Sequence, residues 1–241
     1  MASRKEQKEQ LRREREEREA AAKATERRRR QIGYGAGGAV VLAVAIVLVV
    51  VLAGSGGGDG GGKGGGGGGF LPDGGEVPEQ KVTDLDEAAK AAGCELKSVK
   101  GKSREHTEDL AERVTYDTKP PTSGKHYQVP KEDDAYGDAP DPKELVHSLE
   151  HGRVVLWLKK SLPEADRANV KALYDEDPYQ VIVTPDPTGM TYAVAATAWN
   201  GDPQPNGTGR LLGCPKFTPA IYDALRAFKD EHRSNGPEAV P

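Results

Sequence analysis

The feature that most constrains this chain is a run of fifteen residues, Ala39 to Ala53, without one polar side chain. With the preceding Ile32-Gly33-Tyr34-Gly35-Ala36-Gly37-Gly38 it makes an apolar segment of 22 residues. As a helix the segment is about 33 Å long at about 1.5 Å per residue, enough for a hydrocarbon core of about 30 Å. Arg27-Arg28-Arg29-Arg30 stands just before it, and no comparable basic cluster follows. Positive flanks stay in the cytoplasm. The segment therefore reads as one transmembrane helix over 32–53 in the cell membrane, with a cytoplasmic N-terminus and an extracytoplasmic C-terminal region. A cleaved signal peptide is the rival reading, since Val51-Leu52-Ala53 offers a small-residue cleavage site. The basic region of 30 residues is far longer than a signal normally carries.

The flanking regions follow from this. Residues 1–31 form a charged cytoplasmic tail with high helix propensity and no apolar stripe. Residues 54–69 contain 13 glycines in 16 positions. Such a linker is a flexible coil spanning about 22 Å, so it tethers without orienting. Residues 70–241 are the one stretch able to bury a core, and at about 170 residues they suit a single domain.

Charge divides along the same lines. Residues 1–31 hold 12 Lys/Arg against 7 Asp/Glu, or +5, while Asp59 and Lys63 cancel. The chain total of −4 leaves −9 for residues 70–241. An acidic domain excludes nucleic-acid binding, which needs a basic footprint, and docking on anionic lipid. The lipid bilayer is a partner through the apolar helix alone, and the sequence names no protein partner. The two cysteines, Cys94 and Cys214, both fall in the outer region, where pairing is expected. Two separate thiols are the alternative.

Local signals in 70–241 point to an α+β fold, a small mixed or antiparallel sheet with packed helices. Phe70 to Gln80 reads as a Pro/Gly-rich lead-in arm. Asp84 to Ala92 has helix composition and Gly93 stops it. Leu96 to Val99 reads as a short strand, Thr118 to Tyr127, around Pro120-Pro121-Thr122-Ser123-Gly124, as loop, and residues 128–142 as its continuation. Asp141-Pro142-Lys143-Glu144 combines a capping residue, proline at the first helical position and a capping-box glutamate. It predicts a helix over 142–151, ended by Gly152. Strands are expected at 153–158, 179–184 and 191–198, and helices from 161 to about 175 and from 218 to about 232. Residues 203–209 read as loop.

One constellation suggests chemistry. His147-Ser148-Leu149-Glu150-His151 has the form H-x-x-E-H, and on a helix positions i, i+3 and i+4 share a face. Inverzincin proteases present two zinc ligands and a general base in this way. On a strand the two histidines would stand about 13 Å apart and could not share an ion. His126, just after the Pro-Pro-Thr-Ser-Gly loop, is the best third ligand, so the candidate set is His126, His147 and His151. Glu150, His106 and Met190 are further candidates, and Met190 would tilt the choice toward copper. The cofactor would be one copper or zinc ion. If the domain were a metal-dependent hydrolase, Glu150 would be its catalytic base. The other readings are a hydrogen-bonded structural histidine pair and a non-enzymatic envelope interaction module. Ser123 near His126 suggests a nucleophile only faintly, because no G-x-S-x-G elbow surrounds it. An enzyme is the less favoured class.

Three blocks resemble the domain of unknown function 3105 family, a set of largely bacterial membrane-anchored proteins: Pro120-Pro121-Thr122-Ser123-Gly124-Lys125-His126-Tyr127, Leu145-Val146-His147-Ser148-Leu149-Glu150-His151-Gly152-Arg153-Val154-Val155, and Ala196-Thr197-Ala198-Trp199. The resemblance covers about residues 90–240. It implies an extracytoplasmic domain behind one membrane helix and no known activity. The family's usual glycine after the late tryptophan is Asn200 here.

Overall fold

The computed structural model describes residues 69–238. The expected cytoplasmic tail, the transmembrane helix over 32–53 and all of the glycine linker except Gly69 lie outside them. Among the described residues no helix is long and apolar enough to cross a membrane.

Twelve elements follow in order: α1 (Leu85–Ala92), β1 (Glu95–Lys100), β2 (His106–Thr107), β3 (His126–Tyr127), β4 (Asp134–Ala135), α2 (Pro142–Glu150), β5 (Val154–Leu158), α3 (Glu164–Glu176), β6 (Val181–Pro185), β7 (Val194–Asn200), β8 (Thr208–Cys214) and α4 (Ile221–His232). The fold is α+β. Six strands make one mixed sheet in the order β1-β8-β7-β5-β6-β4. Its β1–β8, β8–β7 and β7–β5 pairs are antiparallel, and β5–β6 and β6–β4 are parallel. The short strands β2 and β3 pair in parallel beside it, so β3 and β4 interrupt the stretch expected to be all loop, because β2 and β6 offer them strand partners that local composition does not show.

Every side chain of β5 is buried, as expected of a strand covered on both faces. Val154, Leu156 and Leu158 face α1, α3 and α4, in one cluster with Leu85, Val170, Leu173, Ile221, Leu225 and Phe228. Val155 and Trp157 face the other way and pack with Leu145, Val146 and Leu149 of α2. The sheet thus lies between three helices and one, and the lone helix carries the histidines.

The capping expectations hold. Asp141 accepts from Lys143 N while Glu144 returns a bond to the Asp141 N–H, which completes the capping box. Asp84 caps α1, and Gly93 ends it in the left-handed conformation. The expected pairing of Cys94 with Cys214 is present and ties the start of β1 to the end of β8.

The expected loop over 203–209 ends earlier than the sequence suggests, because β8 begins at Thr208 and runs through two glycines. A Cβ on Gly209 would lie 2.2 Å from Thr122 Oγ1. The bare backbone there lets the Pro-Pro-Thr-Ser-Gly loop rest directly on the sheet. That contact brings the loop, and His126 behind it, over the α2 face.

Candidate functional site

The site is assembled from three chain segments. The first is α2. Leu145, Val146 and Leu149, each 0% exposed, hold one side of the helix on the sheet. Burying side chains of this size stabilises by about 1.5–3 kcal/mol each. His147 and Glu150 lie on a different side, so they point toward the segments that cover the helix. The second segment is β3. His126 donates from its Nδ1 to the Gly124 carbonyl at 2.7 Å, and the Tyr127 carbonyl accepts from His147 Nδ1 at 2.7 Å. A carbonyl can only accept, so both imidazoles carry a proton on Nδ1, which leaves Nε2 as the available ligand atom of the neutral ring. The third segment is β2, whose His106 is the direct cross-strand partner of His126.

The rings of His106, His126 and His147 lie 4.4, 4.8 and 4.8 Å apart, centroid to centroid. Glu150 closes the group. Its Oε1 accepts from Arg104 Nε at 2.5 Å, and its Oε2 lies 3.0 Å from His126 Nε2 and 3.7 Å from His106 Nε2. One ligand atom from each of His106, His126, His147 and Glu150 falls within 4.8 Å of all the others. His126 and Glu150 are fully buried, whereas the His106 side chain is 42% exposed.

One detail is chemically sharp. His126 Nε2 and Glu150 Oε2 are 3.0 Å apart, yet they are misaligned for a hydrogen bond, and each is a buried polar atom without a partner. Both are acceptors when the His126 ring is neutral; a proton on Nε2 would make them an ion pair instead. Two buried acceptors face to face are costly unless something positive stands between them. Ligand atoms about 2.0 Å from a tetrahedral zinc are about 3.3 Å apart, close to the separation seen. The wider contacts in the group would need to contract, and exposed His106 is the member freest to move.

The protonation states also suit an ion, which binds only deprotonated ligands. Burial pushes the His147 imidazole down to about 4, against the pull of the Tyr127 carbonyl. Burial alone would raise the Glu150 carboxyl, but His126 and Arg104 outweigh it and hold it at about 2. At neutral pH the group therefore presents a neutral imidazole at His147 and a carboxylate at Glu150.

The structure brings together His126, His147, Glu150 and His106, but it places His151 differently. Helix α2 ends at Glu150, and His151 is the C-cap with φ −79° and ψ 8°. Its Nε2 faces Glu238 Oε2 at 3.5 Å, away from the main group, although its ring is 4.5 Å from that of His147. Met190 packs in the apolar cluster with Leu145 and Trp157, and its N–H is bound by Asp186. Ser123 makes no hydrogen bond to His126, whose Nδ1 is committed to Gly124 and whose Nε2 faces Glu150. Sequence reasoning missed Arg104 and Glu238. Neither stands in a local pattern with the residue it meets, and Arg104 is 46 positions from Glu150.

A family model described as "Protein of unknown function (DUF3105)" matches residues 107–239, more than half the chain, and the chain belongs to that family. No curated protein and no solved structure matches it.

Proposed function

We propose that this domain binds a single transition-metal ion, zinc or copper(II), through His106, His126, His147 and Glu150. In this reading it is held outside the cell membrane by the apolar segment over 32–53 and the glycine tether. The observation that carries the metal reading is the facing pair of buried, unpartnered acceptors, His126 Nε2 and Glu150 Oε2. Three imidazoles and one carboxylate form an N/O donor set suited to zinc or copper(II), with no sulfur among them. Arg104 occupies the second carboxylate oxygen, which leaves Glu150 one oxygen for an ion. The hydrolase alternative gains little support. Glu150 is fully buried and Arg104 holds one of its oxygens, so it is poorly placed to take a proton from water.

Metal content of the purified full-length chain, measured by elemental analysis after dialysis against zinc or copper(II), tests this. The wild type and His151→Ala should retain about one equivalent, and His147→Ala and His126→Ala much less. Equal, substoichiometric metal in all four would leave the non-enzymatic interaction module. Protease access to the C-terminal region in intact spheroplasts tests the topology.

A further inference from the structure

The segment after α4 returns across the C-terminal end of α2. Ser234 donates its N–H to the Gly152 carbonyl at 2.8 Å, Glu238 donates to the Glu150 carbonyl at 3.1 Å, and Asn235 accepts from the Gly201 N–H at 2.7 Å. Between these bonds Gly236 passes very close to the helix end. A Cβ there would stand 2.3 Å from the Glu150 carbonyl oxygen and 2.4 Å from the Gly152 nitrogen. Only glycine permits that approach. The strap is thus fixed by backbone bonds and by one close contact, and it delivers the Glu238 carboxylate to His151.

One ligand atom from each of His147, His151 and Glu238 lies within 4.8 Å of the others. These are donor types that hold transition metals. They also form a gradient of exposure, with His147 buried, the His151 side chain 13% exposed and that of Glu238 45% exposed.

We propose that His147, His151 and Glu238 form a second, outer metal position, where a divalent transition-metal ion is captured before it passes to the inner group. The proposal rests on the reading of His106, His126, His147 and Glu150 as a metal centre. His147 joins the two positions. Its Nδ1 is committed to the Tyr127 carbonyl, so Nε2 is its one free donor and the positions compete for it. Glu238 supplies negative charge at the surface, where a hydrated ion first sheds water. Transfer is a ligand exchange: His151 and Glu238 give way to His126, His106 and Glu150 while His147 stays bound. No covalent bond of the protein changes and no proton need move.

Cobalt(II), whose visible absorption reports its ligands, is the probe, with the purified metal-free full-length chain. His126→Ala removes an inner ligand and should keep a weaker cobalt equivalent that depends on the outer residues. Adding Glu238→Gln to that chain should weaken the remaining binding at least about tenfold. Because His126 is buried, exposed His106→Ala provides a second inner-weakened background if the first variant does not fold. In an otherwise wild-type chain, Glu238→Gln and Gly236→Ala should keep the tight equivalent but load it at least about tenfold more slowly. Two results would each overturn the proposal: residual binding in the inner-weakened chain that ignores Glu238→Gln, or loading of the Glu238→Gln chain at the wild-type rate. A wild type with no tight equivalent sinks the inner centre instead, and the Glu238 dependence of any weak binding then decides the outer position by itself.

Discussion

Replacing Glu150 by glutamine separates a metal centre from a purely structural histidine cluster, because the two readings predict opposite effects on the metal-free protein. In the metal reading, His126 Nε2 and Glu150 Oε2 are two acceptors 3.0 Å apart with nothing between them when the ion is removed. Glutamine is nearly isosteric, and its amide N–H can donate to His126 while its oxygen still accepts from Arg104. The new hydrogen bond adds about 1 kcal/mol and relieves acceptors whose isolation costs about 1–3 kcal/mol each. Against that stands the weakened bond to Arg104, whose side chain is 31% exposed, worth about 1 kcal/mol or less after solvent screening. The metal-free variant should therefore be at least as stable as the wild type, by about 1 kcal/mol or more. If a proton bridged the pair instead, the same change would strand a buried imidazolium without its counter-ion, at about 3–5 kcal/mol. With zinc the order reverses. At a free concentration about 1,000 times its dissociation constant, the ion adds about 4 kcal/mol to the wild type. For a domain of this size that raises Tm by about 8–16 °C. Loss of one ligand should cost about 100-fold in affinity, or about 2.7 kcal/mol, and leave the variant little of that rise. Thermal unfolding followed by circular dichroism, with EDTA and with zinc, measures both effects. A variant melting far below the wild type in EDTA, together with a wild type that zinc does not move, would refute the reasoning.

Two further predictions concern stability. The Cys94–Cys214 bridge spans 120 residues, so removing it should cost about 4–5 kcal/mol on the chain-entropy model, a large share of the roughly 5–15 kcal/mol that stabilises an ordinary domain. The Cys94→Ser/Cys214→Ser protein and the reduced wild type should show the same large drop in urea midpoint, and an unchanged midpoint would contradict this. Burial, aided by the Arg210 charge, pushes the His232 imidazole down to about 4 in the folded chain, below its ordinary 6.5. The unfolded chain then binds the proton more readily, so stability present above pH about 6.5 is lost as pH falls toward 4, by about 3 kcal/mol from this residue. His147 is lowered in the same window. His232→Gln in EDTA should flatten part of the decline measured by urea unfolding between pH 7 and 4, and an unaltered slope would rule out this role.

Much of the candidate site was legible because it rests on local rules. Asp141, Pro142 and Glu144 announce the start of α2, and a helix there sets His147 and Glu150 on a common side. The same logic reached only part of the way at the other end. Periodicity assigns His151 to that face, and its ring does lie 4.5 Å from that of His147, but its Nε2 meets Glu238 and the inner group is completed by His126 and His106. Strand β8 was hidden for a related reason. Gly209 reads as a loop residue in isolation, and only the neighbours packed on Gly209 and Gly213 show that bare backbone is required there.

Local spacing and composition therefore determined the helices and their caps, an α+β domain and a pair of cysteines expected to join. What only the tertiary structure decided is which histidines meet. His106 reaches His126 through a parallel pairing of two-residue strands, and Arg104 reaches Glu150 across 46 residues. Such contacts leave no period in the chain, because the sheet and the loop resting on Gly209 impose them from a distance. The two acceptors left facing each other at the centre arise from that imposed closeness.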